Sequence, residues 1–352
     1  MIPAPVQIGA RIIGPDHPPL VIAEMSGNHN QSLARALEII DAAADAGAHA
    51  VKLQTYTADT MTLDIDRDEF KIVDSSSLWH GRRLHELYEE AHTPWEWHGP
   101  IFERAHQRGL IAFSSPFDES AIDFLETLCV PAYKIASFEL TDLPLIARAA
   151  TTGKPLIIST GMASLGEIQD AVQCARQNGD GQIVLLKCTS TYPATPESTN
   201  LETIPHLQQC FQTQVGLSDH TAGIGAAVAA VALGATVIEK HFTLCRADGG
   251  VDSAFSMEPA ELKSLVIETE RAWQALGTVQ YGATGSQKQS LMFRRSIFIT
   301  EDVMAGEVVQ PSHVRILRPG HGLAPGLWNR VCGSTAHRDL KRGEPTNWDM
   351  FV

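Results

Sequence analysis

Eight short apolar runs, each ending in polar or chargeable residues, constrain the fold of this chain more than any other feature. They are VIAEMSGNHN (21–30), AVKLQTY (50–56), IAFSSPF (111–117), AYKIASFE (132–139), LIISTGM (156–162), IVLLKCTSTYP (183–193), VGLSDHT (215–221) and VIEKHF (237–242). Continuous apolar runs with helical patterns between them are typical of a parallel sheet covered on both faces. Eight such units in a row predict an α/β fold, a (β/α)8 TIM barrel.

In such a barrel the carboxyl ends of all strands form one mouth. The polar residues at the ends of the runs are therefore expected to converge, although they are far apart in the sequence. They are Glu24, Asn28, Lys52, Gln54, Ser115, Lys134, Ser137, Glu139, Ser159, Tyr192, Asp219, His220 and His241.

Helical patterns follow most of the runs. The first helix is predicted to begin after Ser32, a good N-cap residue, and to stop at Gly47. Further helices are predicted near 95–108, 118–128, 142–152, 164–177, 223–233 and 259–276. The segment 57–93 is too long for an ordinary loop, and at a barrel mouth it is expected to form a substrate lid or wall.

The barrel pattern ends near Gly277, which gives a predicted catalytic domain over 1–277. The polar, Gly-rich stretch 278–290 is interpreted as a linker. Residues 291–352 contain short strands broken by turns, and they predict a small β-rich domain. A module of this size has a thin core, so it is expected to pack against the barrel or a second subunit.

Composition narrows the class of protein. The formal net charge of −14 argues against nucleic acid or an anionic membrane as a partner, and no apolar run is long enough to span a bilayer. The N-terminus lacks the apolar stretch of a signal peptide, which predicts a cytoplasmic protein. The six cysteines form no C-x-x-C pair, and we expect reduced thiols in the core rather than a zinc or disulfide framework.

Two lysines interrupt apolar strands. Lys52 and Lys134 would be costly to bury unpaired, so each is expected to bind an anion or to form a Schiff base. Pairing with a barrel carboxylate, Glu24 or Glu239, is an equally open alternative. The serines at neighbouring strand ends favour a phosphate or carboxylate cradle; they are Ser115, Ser137, Ser159, Ser190 and Ser218.

Two histidines end the last two runs. His220 and His241 would be adjacent where the barrel closes, and two imidazoles with open positions suit a divalent ion such as Mn²⁺ or Mg²⁺. Either could instead be a hydrogen-bonded core residue. The other histidines are expected to be solvated; examples are His80, His85, His92, His98 and His106. Four carboxylates remain open as acids, bases, sugar ligands or lysine counter-ions; they are Glu24, Glu139, Glu239 and Asp252.

The motifs resemble the sialic acid synthase family, which condenses phosphoenolpyruvate with an N-acetylated sugar. The resemblance is carried by VIAEMSGNHN, AVKLQTY, FSSPFD, YKIAS, STGMASLGEI, KCTSTYP, GLSDHT and EKHFTL. The tail, RRSIF followed by LRPGHG, resembles that family's antifreeze-like (SAF) domain. Segments 26–32, 92–98, 114–118 and 248–256 are most similar to the branch that makes pseudaminic acid.

The resemblance implies a role for each matching position. His220 and His241 would hold a divalent metal (Mn²⁺, Mg²⁺ or Co²⁺) and act in catalysis together with Glu24 and Glu139. Phosphoenolpyruvate would be held by Lys52, Ser115, Lys134, Ser137, Ser159, Ser190 and Ser218. The sugar would be bound by Glu24, Glu139, Tyr192, Asp252 and Arg318. At Ser190 the family's N-acetylneuraminate synthases usually carry Asn, so its role stays open. The resemblance further implies a homodimer in which the SAF domain caps the partner's barrel.

Three alternatives remain open from the residues alone. The same reaction on another sugar would give N-acetylneuraminic or legionaminic acid, because a few hydroxyl, acetamido and methyl contacts decide the substrate. A Schiff-base aldolase would use Lys52 or Lys134 covalently. The third alternative is a non-catalytic carbohydrate or ice binder, but such a protein would have no need for the pair of lysines and the pair of histidines.

Overall fold

Eight parallel strands close into a barrel in the computed structural model, which describes residues 3–75 and 77–352. A short antiparallel hairpin, β1 (Val6–Ile8) and β2 (Arg11–Ile13), precedes the barrel. The barrel strands are β3 (Leu20–Glu24), β4 (Ala50–Thr55), β5 (Ile111–Pro116), β6 (Tyr133–Ile135), β7 (Leu156–Ser159), β8 (Ile183–Cys188), β9 (Gln214–Ser218) and β10 (Val237–His241). Strand β10 pairs with both β9 and β3, which closes the ring. The predicted fold class is confirmed.

Helices follow the strands at nearly the predicted positions. Ser32 accepts a hydrogen bond from the Arg35 amide at the start of the first helix, and Gly47 adopts φ +86° after its end. The helices before Gly277 are α1 (Leu33–Asp45), α2 (Ala58–Met61), α3 (Leu84–Ala91), α4 (Trp95–Gln107), α5 (Glu119–Thr127), α6 (Leu143–Ala150), α7 (Leu165–Asn178), α8 (Thr203–Phe211), α9 (Gly225–Ala232) and α10 (Pro259–Leu276). The patterns did not predict α8.

The register of the strands decides which side chains meet at the mouth. Glu24 lies opposite Lys52 on one side and opposite His241 on the other. Ser218 lies opposite Glu239 in the neighbouring pair. Because strand residues alternate between the two faces of a sheet, these inward positions bring charged groups together within the barrel.

The long segment between β4 and α4 is ordered by its own hydrogen bonds and by contacts across the mouth. The Ile72 amide donates to Arg82 O at 3.0 Å, and the Gly81 amide donates to Ile72 O at 2.7 Å. The Trp79 indole donates to Val251 O at 3.0 Å, in the loop that follows β10. The segment is therefore fastened to both sides of the mouth.

The chain divides into a first unit that ends at Gly277 and a second unit, Thr278–Val352. The second unit has an antiparallel pair, β11 (Ser296–Ile299) and β12 (Val314–Leu317), and two short helices, α11 (Gln287–Ser290) and α12 (Trp328–Val331). Its small core is separate from the barrel's and includes Ile297, Ile299, Val303, Val309, Val314, Val331 and Leu340. Helix α11 lies within the stretch that the sequence analysis treats as a linker.

Two sequence expectations about burial are wrong. All six cysteines are free, but only Cys188 is buried; Cys129 and Cys210 are exposed, and the other three are half-buried. His98, expected to be solvated, is fully buried, and its Nε2 lies 2.8 Å from Thr55 Oγ1.

Within the described ranges, no helix combines the length and the apolarity that a bilayer crossing requires.

Candidate active site

A cavity of about 700 Å³ lies at the carboxyl ends of the barrel strands. Most of the predicted site residues line it, namely Lys52, Lys134, Ser137, Glu139, Ser159, Ser190, Tyr192, Ser218, His220, His241 and Asp252. Glu24 and Ser115 do not line the cavity; both are fully buried and in contact with Lys52. Arg318 belongs to the second unit, where it follows β12 with an exposed side chain.

The two predicted lysines are paired with carboxylates in the cavity floor. Lys52 Nζ lies 2.5 Å from Glu24 Oε2 and 3.8 Å from Glu239 Oε1, and it donates to Ser115 Oγ at 3.3 Å. Lys134 Nζ lies 3.7 Å from the same Glu239 oxygen. The alternative of lysine–carboxylate pairing is thus observed, with Glu239 shared by both ammonium groups.

These shared charges shift the pKa values of the two carboxyl groups in opposite directions. Burial raises the pKa of Glu24 to about 7, against the attraction of Lys52, and the negative charge of Glu239 adds to the rise. Burial also disfavours ionised Glu239, but Lys134 and Lys52 together hold its pKa below the usual value. The pKa of Lys52 is raised despite its burial, because the charge of Glu239 and both the charge and the hydrogen bond of Glu24 act on it. Glu239 is therefore the carboxylate that ionises first. Because its single negative charge faces two lysines, positive charge remains to attract a bound anion.

Serine hydroxyl groups surround this charged floor. Ser137 Oγ and Ser190 Oγ lie 2.8 Å apart, and Ser218 Oγ donates to Glu239 Oε1 at 3.2 Å. Ser159 Oγ is buried and has no hydrogen-bond partner among the described residues. An unpaired buried hydroxyl that lines a cavity is costly unless a ligand satisfies it. These groups are suited to holding the oxygens of an anion.

Gly161 allows two of the serines to approach each other. Its φ is +48°, and a Cβ at this position would lie 2.5 Å from Ser137 Cβ and 2.7 Å from Ser190 Oγ. A larger residue would therefore displace both hydroxyl groups. Gly161 was not among the predicted site residues, although a glycine directly after a barrel strand, in STGM, was a usable signal.

The two histidines lie side by side, with their ring centroids 5.4 Å apart. His220 Nδ1 lies 2.9 Å from Thr189 O, so Nε2 is the nitrogen that remains to bind a ligand. His241 Nδ1 is buried without a partner in the described part of the chain. Burial, reinforced by the positive charge of His220, lowers the pKa of His241 well below its usual value and keeps the ring neutral.

These nitrogens fit a divalent cation that keeps open positions. A neutral imidazole with an unused lone pair is the form in which histidine binds metals, and His241 is in that form. Burial acts against protonated His220, but Cys188 and Thr189 O raise its pKa, so His220 would release its proton when a cation binds. Within residues 3–75 and 77–352, no group of three or more His, Cys, Asp or Glu side chains converges as a ready metal site. An ion bound by His220 and His241 would thus complete its coordination with water and substrate oxygens.

Asp219 does not enter the mouth, contrary to the sequence expectation. It forms a buried ion pair with Lys240, whose Nζ lies 2.8 Å from Asp219 Oδ2 and also donates to Thr221 O at 2.7 Å. Strand alternation explains the difference, because a neighbour of the inward-facing His220 must face outward. The pair fastens the backbone at His220 to the strand that carries His241.

Asn28 also has a structural position. Its side-chain amide donates to Phe242 O and to Ser256 Oγ, both at 2.9 Å. These bonds hold the loop after β10 against the loop after β3. Asn28 does not line the cavity.

The side of the cavity near the loop after β10 offers groups suited to sugar hydroxyls. Asp252 accepts a short hydrogen bond from Ser26 Oγ, and Gln54 Nε2 donates to Ser26 Oγ at 3.0 Å. The sequence analysis did not single out Ser26; its backbone is strained, with φ +47°. Glu139 Oε2 has no partner among the described residues, and burial raises the pKa of this carboxyl group to about 7.

Aromatic rings cover the histidines. The Tyr192 ring centroid lies 4.4 Å from that of His220 and 5.2 Å from that of Phe255. Trp79, in the 57–93 segment, lies 6.1 Å from the Tyr192 ring. Trp79 and other residues of the 57–93 segment therefore form part of the cavity wall.

Two family profiles and several known proteins match this chain. The sequence profile described as NeuB family matches residues 39–281, and that of the SAF domain matches residues 294–352. The chain is 42% identical over 324 residues to a pseudaminic acid synthase of Campylobacter jejuni, covering 92% of this chain and 94% of that protein. It is 36% identical over 338 residues to an N,N'-diacetyllegionaminic acid synthase of Legionella pneumophila, covering 94% and 93%.

A solved structure extends the likeness to three dimensions. The N-acetylneuraminic acid synthetase of Leptospira borgpetersenii, crystallised with citrate, matches with a TM-score of 0.73 and 32% sequence identity. The match covers 82% of this chain and 96% of that one. This chain therefore belongs to the NeuB family, the sialic acid synthases that its motifs resemble, and it carries a SAF domain at its C-terminal end.

Proposed function

We propose that this protein is a pseudaminic acid synthase, a metal-dependent transferase that forms a carbon–carbon bond. It condenses phosphoenolpyruvate with 2,4-diacetamido-2,4,6-trideoxy-L-altrose and water to give pseudaminic acid and phosphate. The choice of sugar is supported by the higher identity to a pseudaminic acid synthase, 42%, than to a legionaminic acid synthase, 36%. Because phosphoenolpyruvate is a cytoplasmic metabolite, the proposed location is the cytoplasm.

One observation carries the proposal for the reaction. Two buried lysines meet at a single carboxylate, Glu239, in the same cavity as the two histidines, and His241 Nδ1 has no partner among the described residues. The two ammonium groups can bind the phosphoenolpyruvate anion through charge-assisted hydrogen bonds. The two histidines can hold the group that makes the sugar aldehyde more electrophilic. A non-catalytic binder would need no such junction.

The residues act on two partners held next to each other. Lys52, Lys134 and the serines bind the phosphate and carboxylate of phosphoenolpyruvate and orient its enol carbon toward the aldehyde of the open-chain sugar. A divalent ion held by His220 and His241 would supply Lewis-acid polarisation of that aldehyde. The enol carbon attacks the aldehyde carbon, and positive charge develops at the carbon that bears the phosphate. Glu139 faces this charge; water adds there, and phosphate leaves with cleavage of its C–O bond.

The proposal includes a homodimer in which the SAF domain of one subunit caps the barrel of the other. Arg318 would then reach the sugar from the partner chain. Its support is family resemblance together with the exposed position of Arg318 after β12.

The function is tested by measuring phosphate release from phosphoenolpyruvate with each candidate sugar, with and without Mn²⁺. The diacetamido altrose is expected to be preferred over N-acetylmannosamine, and EDTA is expected to abolish release reversibly. His220→Ala is expected to be inactive but folded. A preference for N-acetylmannosamine would assign the neuraminate reaction, and full activity in EDTA would contradict the metal site. Covalent trapping with pyruvate and borohydride would identify a Schiff-base aldolase instead.

A further inference from the structure

We propose that the apolar face of α3 is the surface that selects the sugar. It contacts the end of the sugar farthest from the aldehyde and favours a methyl group there over a hydroxymethyl group. The inference rests on the proposed function and assigns a role to the 57–93 segment, which the reaction chemistry alone does not use.

Helix α3 turns its apolar stripe toward the cavity. Its four lining residues are spaced i, i+3, i+4 and i+7, as one face of a helix requires; they are Leu84, Leu87, Tyr88 and Ala91. The opposite face carries the exposed residues Glu86, Glu89 and Glu90. An amphipathic helix normally buries such a stripe against the core. Here the stripe forms a wall of the active-site cavity.

The wall is fixed in place near the middle and at the C-terminal end of the stripe. The Tyr88 ring packs edge-on against Tyr56, at 5.7 Å between centroids, and Tyr56 packs against Phe117 at 5.2 Å. Gln31 Nε2 donates to Glu90 O at 2.9 Å and to His92 O at 2.8 Å. A surface held in this way can discriminate between ligands, because it does not move aside for a poorer fit.

The cavity is divided by polarity. Its lysines, its histidines and Glu239 lie at the strand ends, and Asp74 and Asp252 lie in loops, whereas the side chains that α3 contributes are apolar apart from the Tyr88 hydroxyl group. The aldehyde must lie near the histidines and the enol carbon, so the far end of the sugar chain extends toward the mouth and α3. A methyl group there gains apolar contact, while a hydroxymethyl group must give up hydrogen bonds to water.

The test compares two sugars that differ at one position: the 6-deoxy substrate and its 6-hydroxy analogue, 2,4-diacetamido-2,4-dideoxy-L-altrose. An apolar pocket discriminates against an added hydroxyl group by about a hundredfold in kcat/KM, which is the preference expected for the wild-type enzyme. Leu84→Asn is expected to lower this preference about tenfold, mainly by raising KM for the 6-deoxy sugar. Leu84→Met is expected to restore it, and KM for phosphoenolpyruvate is expected to stay unchanged.

Leu63→Asn is the matched control. Leu63 lies in the same segment and is 60% exposed, but it does not line the cavity, so its replacement is expected to leave both sugars unaffected. An equal loss for both sugars in Leu84→Asn, or an unchanged preference, would overturn the inference. A wild-type enzyme that uses both sugars equally well would also overturn it while leaving the proposed reaction intact. A wild-type enzyme that releases phosphate with neither sugar would contradict both.

Discussion

At the scale of single residues, the site depends on how a few buried charges are shared. Glu239 lies within 4 Å of both lysines, at 3.8 Å from Lys52 and 3.7 Å from Lys134. Burial lowers the pKa of Lys134, and Glu239 opposes that shift. A bound anion would stabilise the protonated form of Lys134.

Lys134→Ala is therefore expected to weaken phosphoenolpyruvate binding about tenfold to a hundredfold, the loss of one charge-assisted hydrogen bond. The KM for the sugar is expected to change much less. Calorimetry with phosphoenolpyruvate measures the effect directly. Lys154→Ala is the control, because Lys154 pairs with Glu126 outside the cavity. Normal binding by the Lys134 variant would mean that the anion site lies elsewhere.

Glu139 predicts a pH dependence. Its pKa of about 7 means that the carboxylate, the form that can stabilise positive charge on the substrate, predominates only above that pH. We expect kcat/KM of the wild-type enzyme to fall as the pH drops below about 7. The Glu139→Gln variant is expected to be slower and to show no such fall. Glu86→Gln, on the solvent side of α3, is expected to keep the wild-type profile. If kcat/KM of Glu139→Gln still falls below about pH 7, the group that titrates is another one, such as Glu24.

At the scale of elements, the ends of β9 and β10 form one unit. The Asp219–Lys240 pair lies behind the two histidines, and all three Lys240 donors are used, the third by Gly223 O at 3.1 Å. Satisfied buried networks of this kind fix backbone geometry. The pair is thus a structural support for the histidines rather than part of the cavity.

Lys240→Met is expected to destabilise the protein by about 3–5 kcal/mol, because it leaves Asp219 buried without its counter-charge. Replacing both partners, with Asp219→Leu added, is expected to recover part of that loss. Urea unfolding followed by circular dichroism measures both values. Lys263→Met, on an exposed part of α10, is the control. A Lys240 variant as stable as the control would show that the pair contributes nothing to the fold.

The barrel could be predicted from the sequence because each strand is an apolar run that can be recognised without knowing which strands it pairs with. The ends of the runs also identified most of the charged and polar residues that line the cavity. Side-chain direction was harder: Asp219 and His220 are adjacent, and only their contacts in the structure show that Asp219 faces Lys240 and that His220 faces the cavity. Ser26 and the α3 stripe were missed because their roles depend on contacts between segments far apart in the chain.

At the scale of the whole molecule, the chain has two units with separate cores. If Arg318 acts on the partner's barrel, two different inactive chains can complement each other. Mixing Arg318→Ala with His220→Ala in equal amounts is expected to restore about a quarter of wild-type activity, because half of the dimers are mixed and each has one intact site. The absence of any recovery, in a mixture shown by mass spectrometry to exchange subunits, would place Arg318 in its own chain's site or outside catalysis.

The central claim is that phosphoenolpyruvate reacts through its enol carbon and loses phosphate by C–O cleavage at this site. The most direct measurement uses phosphoenolpyruvate labelled with oxygen-18 at the oxygen that bridges carbon and phosphorus, together with the diacetamido altrose. Phosphorus NMR is expected to show the label in the released phosphate, and mass spectrometry is expected to show pseudaminic acid as the other product. Phosphate released without the label would mean that the P–O bond breaks, and it would contradict the reaction proposed for this cavity.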